Sequence, residues 1–411
     1  MHSPRLIGPA AAVMALAALA AHAAGPSALP APSDPTFSAL RVDGSSAAGQ
    51  LLGFEADGTV LLKPPDGEPI RLPIASLVKL TREGGPAPAE PEGGIVLLAG
   101  GDRIHQATIG SASDATLEVQ SAALGRVDWP LECILGLVLA APAEGSAVDD
   151  LIGRVRSEPR TTEVAWLANG DAIAGGFLGL DGSKVRLKGP GGPINLDRSG
   201  VRAVGFDPSL IANPEAAATS WSITLVDGSR LEAGDLQFEA GAIRAKARAG
   251  PAIQFALADL ARLHALHPGL AYLSDREATA QQYVPYLGQV RPYRRDLAVD
   301  GRPLRLGGEP HDRGIGTQSR TLLAYRLQPE DRRFQALVGL DDRAGPLGSV
   351  AFRVLLDGKV ALAIPPMAPG DPPRAVDVEL GGARLLILAT EFGERGDVQD
   401  HADWVEARIV H

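Results

Sequence analysis

The chain has one cysteine among its 411 residues, Cys133, which excludes an internal disulfide. Cys133 lies in the apolar run LECILGLVL, where a small buried hydrophobe is expected. Basic charge is also in deficit. The formal net charge is −10 and the isoelectric point is near 5.4. Nucleic-acid affinity depends on neutralising phosphates with Lys and Arg, so this balance opposes a nucleic-acid partner. The sequence contains no HExxH, no G-x-S-x-G, no P-loop, no dinucleotide fingerprint and no Cys/His cluster. Enzymes that carry such local signatures are thereby excluded. A carboxylate pair for glycoside hydrolysis has no local motif and is untouched by that absence. Past the first two dozen residues, no segment sustains apolar residues at helical spacing.

The first residues differ from the rest. Arg5 gives a positive start, LIGPAAAVMALAALA is apolar, and Ala21-His22-Ala23 offers a small-x-small cleavage pattern. Residues 1–23 are expected to be a secretory signal peptide, placing the mature chain outside the cytoplasm, periplasmic or secreted. The apolar run is too short to span a hydrocarbon core of about 30 Å. Residues 24–36 (AGPSALPAPSDPT) read as a disordered linker.

Short alternating strands broken by Asp-Gly, Asn-Gly and Gly-Gly turns fill the rest, which indicates an all-β protein. Four blocks share one plan, at 37–80, 94–140, 162–207 and 220–266. Each opens with a strand ending in a turn: Asp43-Gly44, Gly101-Asp102, Asn169-Gly170 or Asp227-Gly228. Three more strands follow. Each block then closes on two apolar residues three apart, Leu77/Leu80, Ile134/Leu137, Val201/Val204 and Leu260/Leu263. That spacing suggests a tight 3₁₀ turn leading into a last strand. The plan resembles a small SH3-like or Sm-like barrel. Units of this size are small for independent cores, so neighbouring blocks are expected to pack on one another.

From about residue 270 the texture changes, and all five tyrosines lie there. Longer alternating strands appear, such as RFQALVGL with Phe334, Ala336, Val338 and Leu340 on one face, and SVAFRVLL with Val350, Phe352, Val354 and Leu356. About eight such strands fit a jelly-roll-type β-sandwich. The segments AYLSDRE (271–277), LRLGGEPHDRGIGTQSRTLLAYRL (304–327), RFQALVGLDDRAGPLGSVAFRVLLDGK (333–359) and DHADWVEARI (400–409) together resemble the NPCBM domain, a carbohydrate-binding module family. The resemblance covers about 271–411 in the expected order. It implies a galactose-binding-like β-sandwich. Members occur appended to glycoside hydrolases, and some bind galactose-containing glycans. Where many relatives carry Trp and extra Gly after the YLSD element, this chain has REATAQQYVPYLGQVRPYRRD, with Tyr instead.

A sugar site needs an aromatic plate for the ring and polar groups for the hydroxyls. Tyr283, Tyr286 and Tyr293 share one loop with Arg291, Arg294 and Arg295, which makes that loop the first candidate. Capping of the sandwich end by these tyrosines is the alternative. His311 and Arg313 flank Asp312 in the turn before GIGTQS and are a second candidate, against ordinary turn hydrogen bonding. Asp341 and Asp342 end a strand and could hold a structural Ca²⁺ or cap the turn. No other cofactor is expected. In DHADW, strict alternation puts Asp400, Ala402 and Trp404 on one face and His401 and Asp403 on the other. That split argues against an acid/base pair and for a structural role of Asp400, Asp403 and Trp404. Val405, Ala407 and Ile409 alternate with Trp404 along the last strand.

The sequence therefore points to an exported, non-catalytic, modular all-β protein, with tandem barrel repeats and a sandwich that binds glycan. The competing reading is a cell-envelope adaptor whose repeats bind protein partners.

Overall fold

The structure is a computed structural model that describes residues 35–89, 93–113, 115–140, 145–215, 217–285 and 291–411. The expected signal peptide, most of the expected linker and Tyr286 lie outside the described residues.

The four blocks, termed units I to IV, each form the expected strands. In unit I these are Thr36–Arg41, Ser46–Phe54, Val60–Lys63, Ile70–Leu72 and Leu77–Arg82. Turns between them are fixed by short side chains. Asp43, Asp57, Asp181 and Asp227 each accept the backbone amide two residues on, at 2.8–2.9 Å. In every unit the first strand lies between the fifth and the second. The ladder continues to the third and fourth strands. No ladder joins the fourth strand to the fifth among the described residues.

The apolar pairs three residues apart have a different cause from the one expected. A 3₁₀ turn does precede each fifth strand, at Ile74–Ser76, Leu131–Cys133, Arg198–Gly200 and Leu257–Asp259. Both members of each pair lie beyond it, inside the strand. Residues three apart in a regular strand face opposite sides. Here a register shift just after the first member turns both inward. All eight are 0% exposed, in one apolar cluster that runs through the four units.

An open sheet of this order leaves its fifth strand as an edge, and an unpaired edge must be covered or paired. The units solve this in twos. Unit I pairs with unit IV, Leu80 opposite Leu263, and unit II pairs with unit III, Leu137 opposite Val204. Unit I thus pairs with the unit most distant in sequence, not with its chain neighbour.

The outer faces of the two paired edges differ in residue type. In units II and III the outer positions are Gly136, Val138, Ala203 and Gly205. One α-helix, Gly145–Ser157, lies there, packing Val148, Leu151, Ile152 and Val155 on Ile95, Leu97, Val138, Trp166 and Ala203. A Cβ at Gly136 would stand 2.3 Å from Val155 Cγ1, so only glycine admits the helix. In units I and IV the corresponding residues are Lys79, Thr81, Arg262 and His264. The C-terminal sandwich covers that face.

The sandwich has two antiparallel sheets. One contains Arg294–Arg295, Gly314–Gln318, His401–Val410, Arg333–Leu340 and Arg374–Glu379 in that order, with Leu270–Tyr272 on the terminal strand. The other contains Ala280–Tyr283, Thr321–Arg326, Leu385–Phe392, Val350–Leu356 and Lys359–Met367. The inward faces expected from Arg333–Leu340 and Val350–Leu356 form its core around Trp404. Trp404 is 0% exposed, meets Phe352 edge-on at 5.2 Å and donates Nε1–H to Thr390 Oγ1 at 3.0 Å. Strict alternation fails at Glu406, which has φ 56° in a bulge. Val405 faces the opposite cluster with Leu304 and Leu306, while Ala407 and Ile409 return to the Trp404 side.

Candidate functional site

The candidate residues fall in three places. The first is the sandwich end made by the turn Gln318–Arg320, the segment 393–400 and the described ends of the Tyr283–Tyr293 loop. Tyr283 ends its strand opposite Thr321, and the next amide, Val284, donates to the Arg320 carbonyl at 3.2 Å. The Tyr283 ring is half-buried. Burial raises its phenol, the Asp397 carboxylate raises it further and the Arg291 guanidinium opposes them, so both charges lie within its electrostatic reach. Arg291 Nη1 donates to His401 Nε2 at 3.0 Å. Guanidinium has no acceptor, so Nε2 must accept and the imidazole proton sits on Nδ1. That tautomer agrees with a His401 pKa lowered chiefly by burial. Gln318 is 3% exposed and donates Nε2–H to the Asp397 carbonyl at 2.7 Å. Its Oε1 has no hydrogen-bond partner among the described residues. Aromatic face, guanidinium, imidazole and amide converge here. Tyr293 is partly buried against the sandwich core.

The second place is the junction with units I and IV, and it takes His311, Asp312 and Arg313. The Asp312 carboxylate accepts from Thr224 Oγ1 at 2.9 Å and from Arg262 Nη1 at 3.0 Å. Burial raises this carboxyl, but Arg262 and Arg230 outweigh it and hold it well below the carboxylate range. Arg313 is 6% exposed, pairs with Asp275 and lies over the Tyr272 ring at 5.2 Å. His311 stands 3.8 Å from Glu406 Oε1. Glu406 is the hub. Its Oε1 is 3.2 Å from His264 Nε2 and 3.4 Å from Lys79 Nζ. Asp312 therefore contacts unit IV, His311 stands at the Glu406 junction, and the Arg313 side chain pairs within the sandwich.

The third place is the Asp341-Asp342 turn. Asp342 accepts the amides of Gly307 and Gly308 at 2.9 and 2.7 Å, and Asp341 those of Arg305 and Arg343 at 3.1 and 2.8 Å. The two carboxylates thus cap separate turns. No group of three or more His, Cys, Asp or Glu able to hold a metal ion occurs among the described residues. Asp400 is 0% exposed and accepts the Ser349 amide at 2.7 Å. Asp403 is also 0% exposed, and burial first, then Asp341, raises its carboxyl well above the carboxylate range.

Sequence reasoning missed His401, Gln318 and Asp397 at the sandwich end, and the whole Glu406 network. A signal for the second existed. Alignment of the four blocks sets Lys79, Arg262 and His264 against Gly136, Ala203 and Gly205, a charge anomaly at otherwise small positions.

Comparison with known proteins agrees with the fold of the C-terminal part. Residues 269–410 match the NPCBM/NEW2 domain. A Renibacterium salmoninarum protein that carries the name endo-alpha-N-acetylgalactosaminidase is 29% identical over 111 residues, 27% of this chain and 7% of that protein. Alpha-1,3-galactosidase B of Akkermansia muciniphila is 30% identical over 117 residues, 28% of this chain and 15% of that protein. This chain therefore spans a small fraction of either relative. Among solved structures, CBM51 from Clostridium perfringens GH95 in complex with methyl-galactose is 26% identical, with a TM-score of 0.32, over 34% of this chain and 99% of that one. CBM51-2 with GlcNAc and INT domains from Clostridium perfringens ZmpB is 21% identical, with a TM-score of 0.33, over 46% of this chain and 43% of that one.

Proposed function

We propose that the NPCBM/NEW2 domain at residues 269–410 binds the end of a glycan at the loop end that carries Tyr283, Arg291, His401, Gln318 and Asp397. The domain match is the observation that carries this reading. The names of the two curated relatives add a direction, since both refer to galacto-configured residues, so a galactose-containing glycan is the first ligand to test. In this reading the half-buried Tyr283 ring takes the apolar face of the sugar. Arg291 donates to a hydroxyl. The chain is exported and non-catalytic, with units I to IV serving as scaffold. The repeats remain the surface open to a protein partner.

The test is a glycan array probed with the full chain, followed by calorimetry on the best hit. Binding of a galactose-terminated glycan, weakened at least tenfold by Tyr283→Ala with the fold intact, is expected. A folded chain that retains no glycan refutes the proposal.

A further inference from the structure

A cavity lies where units II and IV, the α-helix and the sandwich meet. Its volume is about 570 Å³. In a chain of net charge −10, seven arginines line it against four carboxylates. Those carboxylates are already engaged. Glu232 pairs with Arg248 at 3.1 Å, and Asp275 with Arg313. Asp296 is shared by Arg230 at 3.7 Å and Arg313 at 3.8 Å. Asp102 accepts the Glu232 amide at 2.9 Å, and burial lifts its carboxyl to about 6.

Among the described residues Arg156, Arg276 and Arg295 line this cavity without an ion pair. Arg156 reaches into it from the helix. Its Nη2 donates to the Gly101 carbonyl at 2.9 Å, and its Nε has no hydrogen-bond partner among the described residues. Burial, with Arg103 and Arg230 nearby, lowers this guanidinium to about 10. Like charges gathered out of water are costly unless an anion joins them. The backbone is shaped around one of these cations. Gly100 has φ 72°, and a Cβ there would stand 1.3 Å from Arg248 Nη2. Pro268, Leu270 and Leu297 add apolar wall. The volume suits a sugar residue better than a bare ion.

We propose that this junction cleft is a second binding site, which takes the carboxylate of an acidic sugar residue on Arg156 and Arg295. Planar guanidinium forks match a carboxylate in a bidentate way. The site is separate from the loop end. Only the choice of a sugar rather than a plain oxyanion draws on the glycan reading.

The test uses the full chain in calorimetry at low ionic strength with four probes, sodium galacturonate, sodium glucuronate, galactose and sodium sulfate. Saturable uronate binding is expected, at least tenfold tighter than sulfate. Arg156→Gln should weaken it at least tenfold and leave galactose binding unchanged, while Tyr283→Ala should do the reverse. Arg295→Gln, at an exposed residue without an ion pair, should weaken uronate several-fold and guards against a folding defect in the first variant. Sulfate bound as tightly as uronate would reduce the site to an inorganic anion site and overturn the sugar assignment. Uronate binding unchanged in both arginine variants would overturn the site. Failure of galactose alone would sink the loop-end reading and spare this one.

Discussion

Glu406→Gln isolates the contact that joins the sandwich to the repeats. Glu406 is 2% exposed, in a left-handed bulge, with Lys79 Nζ at 3.4 Å and His264 Nε2 at 3.2 Å. At an effective dielectric near 20, the Lys79 attraction alone is about 5 kcal/mol before desolvation. Burial raises the Glu406 carboxyl, but Lys79 and His264 outweigh it and hold it well below the ordinary range. The carboxylate is therefore charged across neutral pH. Glutamine keeps the shape and removes the charge, leaving the half-buried Lys79 without its counter-ion. The expected cost is ~3–5 kcal/mol in urea unfolding followed by circular dichroism. Lys79→Met leaves Glu406 with His264 and should cost less. The double variant, with neither charge, should be more stable than the sum of the single losses by at least ~1 kcal/mol. The linkage sign gives a second readout. A carboxyl with a depressed folded pKa contributes stability above its unfolded pKa and loses it as pH falls. The penalty of Glu406→Gln should thus shrink on acidification from pH 7 toward pH 3. Additive single effects, or a Glu406→Gln cost under ~1 kcal/mol, would refute the electrostatic account of the junction.

Asp400 has the opposite sign. Burial lifts its carboxyl to about 6 from an ordinary 3.8, so its ionisation opposes the fold as pH rises through 6. Asp400→Asn retains an oxygen for the Ser349 amide. It should stabilise the protein by up to ~3 kcal/mol at pH 8 and by little at about pH 3.5, below the ordinary carboxyl pKa, read from urea midpoints at the two pH values. A stabilisation that does not vary with pH would contradict this. Gly136→Ala places a methyl 2.3 Å from Val155 Cγ1 and 2.7 Å from the Val204 carbonyl oxygen. It should cost ~1–3 kcal/mol by displacing the helix, and Val155→Ala in the same chain should return part of that loss.

Local features were legible in the sequence because they depend on local chemistry. Asp-Gly turns specify themselves, and alternation in Arg333–Leu340 and Val350–Leu356 identified the sandwich core. Trp404, expected in that core, is 0% exposed within it. What the sequence hid depends on distant partners. A spacing of three reads as a turn unless a bulge is known, and the bulge is set by the neighbouring first strand. The turn at His311–Arg313 has the composition of a surface turn, yet Thr224, Arg230 and Arg262 of unit IV enclose it. Arg291 and His401 lie 110 residues apart, and nothing local announces their 3.0 Å contact.

The two paired edges show how one scaffold geometry can receive two different covers. Their ladders match residue for residue, Leu80–Leu263 against Leu137–Val204, so backbone geometry does not choose between helix and sandwich. The outer side chains choose. Gly136 and Ala203 offer a smooth apolar face, which an amphipathic helix covers by burial alone. Lys79, Arg262 and His264 cannot be covered by an apolar element without leaving charge unpaired in a dry interface. They require carboxylates at fixed positions, and the sandwich supplies Glu406 and Asp312 there. The Glu406 bulge then has a physical reason. A regular strand would carry that residue into the ladder alternation of the sandwich, whereas the left-handed turn sends its carboxylate to the repeats. The cost of that backbone conformation is offset at the junction by the ion pair, which ties the strain in the terminal strand to the docking of the two halves.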